Sequence, residues 1–358
     1  MARMLRNRGP LLFCASSLLS RSLSSAFVST SSRPFQRSGF STTTMTSLSI
    51  SPDNIKGKLM IDVNHAIELH SHPNVKFLDG SWFLADRNGR QEFLNGPRIA
   101  GAQFFDIDDI ATESPYLHMM PSPELFAAAM DAMGISNSDH VIVYGSADCP
   151  FVHRAWFQIR NMGHGNDWTH MLNGSLADWQ AKGGPIEEGP PARSIIAAKE
   201  LALDKPTKYQ ATQPQNVVDK EEMKRIIAQG TDADAILVDV RAPPRFRGEV
   251  EEPRPGLRKG HMPGAKNVFF KDLLNPDNVL QFKPSSELLQ IIQEGGVDIH
   301  TEKRIVVHCG SGATACALVA ALDLCGRDPS RTFVYDASWS EWGALSDTPI
   351  EKDGKPVP

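Results

Sequence analysis

Val306-Val-His-Cys309-Gly-Ser-Gly-Ala-Thr-Ala-Cys316-Ala-Leu318 is the stretch that decides how this chain reads. An apolar β-branched run ends on a cysteine, two glycines bracket a serine, and alanine and leucine open a helix-forming segment. A buried strand that gives way through a tight turn to a helix is the unit of an open parallel sheet, and such sheets bind ligands at the carboxyl ends of their strands. Cys309 stands at that end. Gly310 and Gly312 permit backbone conformations closed to other residues. The loop can therefore turn several successive N–H groups toward one point, a nest at a helix N-terminus. The anion favoured there is the Cys309 thiolate, which is the nucleophilic form of the residue.

The same alternation extends outward from the loop. Residues 235–240 and 304–308 are predicted as buried strands and 332–335 as a third, while 285–294 and 315–324 are predicted as helices. Continuous apolar strands alternating with amphipathic segments imply a parallel sheet covered on both faces. The pattern also occurs twice. Arg98-Ile-Ala-Gly-Ala102 matches His261-Met-Pro-Gly-Ala265, and Pro123-Glu-Leu-Phe126 matches Ser286-Glu-Leu-Leu289, each 163 positions later. Val141-Ile-Val-Tyr144 answers Ile305-Val-Val-His308, and Leu172-Asn-Gly-Ser-Leu-Ala-Asp-Trp179 answers Tyr335-Asp-Ala-Ser-Trp-Ser-Glu-Trp342. Four blocks in one order at a near-constant offset mark a duplicated domain. The fold class is α/β with two tandem domains, each a parallel sheet flanked by helices. The Pro- and Gly-rich segment 183–215 reads as a connector over the surface.

Only the second copy carries the loop. In register with Cys309 the first copy has Gly145, and Cys149 lies four residues on with no glycine frame. Cys149, Cys316 and Cys325 read as buried structural residues. With Cys14 the cysteines number five, without a CxxC pair or zinc-like spacing, so neither a disulfide framework nor a structural metal is indicated.

A net charge of −5 gives no footprint for nucleic acid, and no apolar run is long enough to span a bilayer. The first acidic residue is Asp53. Before it stand Arg3, Arg6, Arg8, Arg21, Arg33 and Arg37 among many serines, so residues 1–52 read as an organelle transit peptide outside the fold. The expected destination is the mitochondrial matrix, with a plastid as the alternative. Met45 offers an internal start, from which a cytosolic form would follow.

The Cys309–Ala315 loop, the Gly260–Ala265 and Tyr335–Trp342 blocks, and Asp239-Val-Arg241 resemble the tandem-rhodanese sulfurtransferases over about residues 55–350. That resemblance implies a non-catalytic rhodanese-like domain at 55–182 and a catalytic one at 216–350. It also implies a site at their interface and no cofactor. Within the family, thiosulfate enzymes place Arg and Lys after the cysteine. Gly310 and Ser311 here imply 3-mercaptopyruvate as donor, with thiosulfate as the alternative. The expected reaction leaves sulfur on Cys309 as a persulfide, within a cradle of Gly310, Ser311, Gly312, Ala313 and Thr314. A thiol such as thioredoxin, a small thiol or cyanide then removes it. The family draws a carboxylate clamp from the first domain, and Arg154 and Arg160 lie in the matching stretch. Their planar forks suit a carboxylate, and Ser311 completes the substrate contacts. Arg98 stands where many relatives have a histidine that some mechanisms place in a Ser-His-Asp relay. That relay is accordingly not carried over, and His261 is read as structural. Two other readings compete. A cysteine phosphatase needs an arginine six residues after the cysteine, where Ala315 stands. A non-catalytic binding module would have no use for a complete Cys309 loop.

Overall fold

The computed structural model describes residues 51–84, 87–190, 197–352 and 355–357. The predicted transit segment, apart from its last two residues, and the Met45 start lie outside them. The first half runs β1 (Met60–Asp62), α1 (Val63–Leu69), β2 (Val75–Asp79), β3 (Gln103–Phe104), α2 (Pro123–Met133), β4 (His140–Tyr144), α3 (Val152–Ile159), β5 (Thr169–Asn173) and α4 (Leu176–Ala181). The second half runs β6 (Val217–Val218), α5 (Lys220–Gln229), β7 (Ala235–Asp239), β8 (Lys266–Asn267), α6 (Ser285–Glu294), β9 (Arg304–His308), α7 (Ala315–Leu324), β10 (Thr332–Tyr335) and α8 (Ser338–Trp342). The sheet orders are β1-β5-β4-β2-β3 and β6-β10-β9-β7-β8, with every pairing parallel. Both halves therefore have one topology, which the sequence repeat predicted.

Local chemistry sets the element ends. Ser122 caps α2 by accepting from the Leu125 amide at 3.2 Å, with Pro123 at the first helical position. Ser175 and Asp178 form a reciprocal capping box at the start of α4. Strand β7 stops at Asp239, one residue short of the predicted end, because its side chain turns back to accept from the Arg241 amide at 2.9 Å.

Helices α3 and α7 are buried on all sides. A helix without a wet face belongs inside a core, and these two pack on each other where the halves meet. One apolar cluster runs through both, from Val141 and Trp156 to Val307 and Leu318. The connector is anchored as well as laid on the surface. Ile186–Glu187 pairs antiparallel with Arg98–Ile99. The Tyr209 ring is buried against Phe126, and its hydroxyl meets His164 Nδ1 at 2.9 Å. No helix among the described residues is long and apolar enough to cross a membrane.

Candidate active site

Strand β9 delivers His308 and Cys309 to the carboxyl edge of the second sheet. The loop that follows is clasped by the Tyr335–Trp342 block. The Cys309 carbonyl accepts from the Trp339 amide at 3.1 Å. The Gly310 carbonyl accepts from the Ser340 amide at 2.8 Å and the Ser340 hydroxyl at 2.6 Å. The Cys309 amide donates to Ser338 Oγ at 3.2 Å, and Ser338, at φ 54°, donates that hydroxyl to the Tyr335 carbonyl. The loop carbonyls are thereby engaged on one side, while the amides of residues 310–314 donate to no protein group among the described residues. Amides free of protein acceptors are what an anion nest requires. Gly312 has φ +81°, and a Cβ there would lie 2.3 Å from the Asp336 carbonyl oxygen, so only glycine fits. Cys309 itself is 2 % exposed and Ser311 7 %.

Beneath the loop lies a buried charge network. Arg241 spans Asp239 at 2.6 Å and Glu252 at 2.9 Å, and its guanidinium stacks on Trp339 at 4.1 Å. Burial alone would raise Asp239, but the Arg241 guanidinium outweighs it and holds the carboxyl below its ordinary range. His308 is wholly buried, and burial pushes its imidazole down to about 4, so it is neutral at pH 7.

Two arginines at this loop were not anticipated from the sequence. A Cβ on Gly310 would stand 3.2 Å from Arg245 Nη2 and 3.7 Å from Arg254 Nη1. Arg245 pairs with Glu252 at 2.5 Å. Arg254 is half-buried and donates to Ser340 Oγ at 3.3 Å, with no acidic partner among the described residues. Both lie in the stretch that leaves the carboxyl end of β7, and the rule that located Cys309 also applied to them.

Arg154 and Arg160, the expected carboxylate clamp, stand in different surroundings. Arg154 does reach the loop, but from behind and fully buried: Nη2 meets Asp336 Oδ1 at 2.5 Å and donates to the His118 carbonyl. Its Nη1 lies 3.6 Å from the Cβ position of Gly312. Arg160 pairs with Asp323 and stacks on Trp156 at 4.2 Å. Asp323 is eight residues along α7 from Ala315, about 12 Å at 1.5 Å per residue, so Arg160 belongs to the far end of the domain seam.

An Asp–His pair was also missed. His118 Nδ1 lies 2.6 Å from Asp108 Oδ1, and Asp108 Oδ2 accepts from Trp82 Nε1 at 2.7 Å. Burial would raise Asp108, yet the hydrogen bonds from His118 and Trp82 hold it below its usual value. His118 Nε2 is buried without a partner among the described residues, and the backbone at His118 has φ 61°. Arg98 is buried against Glu187 and the carbonyls of Phe93 and Gly189. His261 stacks on Phe246 at 3.8 Å and is structural in its contacts.

Residues 219–345 match the model of the rhodanese-like domain. The 3-mercaptopyruvate sulfurtransferase of Escherichia coli (strain K12) is 38% identical over 267 residues, which is 74% of this chain and 87% of that protein. The chain belongs to the rhodanese-type 3-mercaptopyruvate sulfurtransferase family. The mitochondrial thiosulfate/3-mercaptopyruvate sulfurtransferase 1 of Arabidopsis thaliana is 35% identical, over 78% of this chain and 74% of that one. Among solved structures, the crystal structure of SseA from Escherichia coli superposes with a TM-score of 0.63 at 31% identity, covering 78% of this sulfurtransferase and 98% of SseA. The two sheets of the sulfurtransferase are thus two tandem rhodanese folds.

Proposed function

We propose that this sulfurtransferase takes sulfur from 3-mercaptopyruvate onto Cys309 and passes it from the persulfide to a thiol or to cyanide. In this reading residues 55–182 form a non-catalytic rhodanese domain, 183–215 the connector, and 216–350 the catalytic domain. The observation that carries it is Cys309 at the end of β9 beside five unengaged loop amides, with Arg245 and Arg254 at Gly310. The Cys309 thiolate attacks the substrate sulfur. The C–S bond breaks, its electron pair passes to carbon as the pyruvate enolate, and the enolate takes up a proton to give pyruvate. Arg254 and Arg245 hold the substrate carboxylate, with Arg154 behind the loop at Gly312. Ser311 orients the substrate, the loop amides receive the sulfur anion, and the Asp108–His118 pair is the candidate for moving the proton. An acceptor thiolate (thioredoxin or a small thiol) then attacks the outer sulfur and releases Cys309.

Two guanidinium groups at the loop also suit the thiosulfate dianion, so thiosulfate is retained as the second reading. The Arabidopsis relative is named for both donors. That relative is also named mitochondrial, and with the acid-free, Arg-rich residues 1–52 it supports work in the mitochondrial matrix. The test is intact-protein mass after mixing with either donor and no acceptor. A gain of about 32 Da, one sulfur, with 3-mercaptopyruvate and its absence in Cys309→Ser are expected. A gain with thiosulfate alone would reverse the donor assignment. No gain with either would overturn the persulfide mechanism.

A further inference from the structure

The two rhodanese folds carry the same turn after their second strand, and setting one against the other exposes a gap. In the second domain the Arg241 amide donates to Asp239 Oδ1 at 2.9 Å. The Arg241 side chain then folds back over that carboxylate, onto the Trp339 ring and the Gly260 carbonyl. In the first domain the Ser81 amide donates to Asp79 Oδ1 at the same 2.9 Å. The main chain also agrees, since the Asp79 and Asp239 carbonyls accept from Phe105 and Val268 on the way out of the next strand. Position 81, however, is serine, and no side chain follows the path of Arg241.

A cavity of about 420 Å³ lies in that place. Asp79, Leu176 and Pro97 line it. Leu176 and Pro97 stand 163 positions before Trp339 and Gly260, and Asp79 ends β2 as Asp239 ends β7; the second-domain groups enclose the Arg241 guanidinium. Phe93 adds a further apolar wall. Among the described residues no salt bridge reaches Asp79, and the main groups acting on it are the Ser81 amide and hydroxyl, the Tyr144 hydroxyl and Glu92. Arg98 is engaged by Glu187, and Arg87 by Glu92 and Asp148. Asp239 is held below its ordinary range, whereas burial pushes Asp79 up to about 6. Asp79 is thus a buried carboxyl without a counter-charge among the described residues.

We propose that this cavity binds a small molecule bearing a guanidinium group, whose head pairs with Asp79 as Arg241 pairs with Asp239. The planar fork suits a carboxylate held at the end of a slot, and an alkyl stem lies against Leu176, Pro97 and Phe93. A compact, strongly hydrated ammonium offers neither the fork nor the stacking face. The site belongs to the domain without a nucleophile and stands independently of the sulfur chemistry.

The probe is methylguanidinium chloride, titrated calorimetrically into the purified protein at constant ionic strength, with methylammonium chloride as control. One saturable site is expected, with methylammonium at least about tenfold weaker, since a charge-assisted pair is at stake. Asp79→Asn should weaken methylguanidinium at least about tenfold. Ser81→Arg should abolish binding by filling the slot with its own side chain, with sulfurtransferase turnover unchanged. Should Ser81→Arg not fold, Asp79→Asn decides. No saturable heat with the wild-type chain, or equal affinity in Asp79→Asn, overturns the proposal. A Gly-Arg-Gly tripeptide that binds more tightly than methylguanidinium overturns the small-molecule source and assigns the slot to an arginine of another protein.

Discussion

Removing either half of the Arg154–Asp336 pair should weaken the seam between the two domains far more than removing both. Arg154 is completely buried, Asp336 is 12% exposed at the side chain, and the pair closes at 2.5 Å. Arg154→Met leaves the Asp336 carboxylate with one remaining donor, the Met120 amide at 2.9 Å. Stranding a buried charge in this way costs about 3–5 kcal/mol. Asp336→Asn strands the guanidinium, whose Nε and Nη1 already lack partners among the described residues, and belongs at the upper end of that range. At roughly 2 °C per kcal/mol for a chain of this size, each single variant should melt about 6–10 °C lower. The double variant buries no charge at the pair and keeps an acceptor for Met120. It should recover at least about 2 kcal/mol relative to the sum of the singles. Urea unfolding followed by tryptophan fluorescence reads this directly, because Trp156 in the first half and Trp339 in the second are both fully buried. Single losses under about 1 kcal/mol, or a double loss equal to the sum, would refute the account of a desolvated pair holding the loop from behind.

Gly312→Ala should abolish the persulfide mass gain while the protein still folds, because the new Cβ collides with backbone rather than with a side chain that can move; an unchanged gain would show that the nest is not needed. Arg254→Ala should raise KM for 3-mercaptopyruvate by roughly ten- to hundredfold through loss of a charge-assisted contact, with a smaller change in kcat. A KM unaffected in steady-state assays would remove it from the clamp. Burial pushes the Cys149 and Cys316 thiols up to about 12, so at pH 8 both stay protonated. Iodoacetamide should then modify Cys309 well before either of them by peptide mapping. Burial also raises Asp79 from 3.8 to about 6, so the folded state binds the extra proton and stability falls as pH rises from about 4 through 6. Asp79→Asn escapes that loss and should be more stable than wild type at pH 7 by up to about 3 kcal/mol, an advantage that vanishes below about pH 4. A pH-independent difference in urea midpoints would contradict it.

Much of this molecule was readable in one dimension because its signals are local. The strand–Cys309–Gly-Ser-Gly–helix passage depends on neighbours within a few residues, and the loop is found where β9 ends. The duplication fixed one topology for both halves, since two similar strings that alternate strand and helix must wind alike, and both sheets share one strand order. Helices α6 and α7 and strands β9 and β10 also match their predicted spans, because apolar periodicity marks them from within. What the sequence did not settle is which distant side chain reaches the loop. Arg154, Arg160, Arg245 and Arg254 are alike in type, and each lies within a few residues to about fifteen of a motif stretch. Only packing sends Arg160 to Asp323, tucks Arg154 behind Gly312, and brings Arg245 and Arg254 to Gly310. The Asp108–His118 pair was hidden for the same reason, since a positive φ and a hydrogen bond across ten residues leave no periodic trace. Long-range electrostatics is decided by burial and direction, which arise when the two domains close on one another. The chain order carries the loop, and the seam between the domains decides what surrounds it.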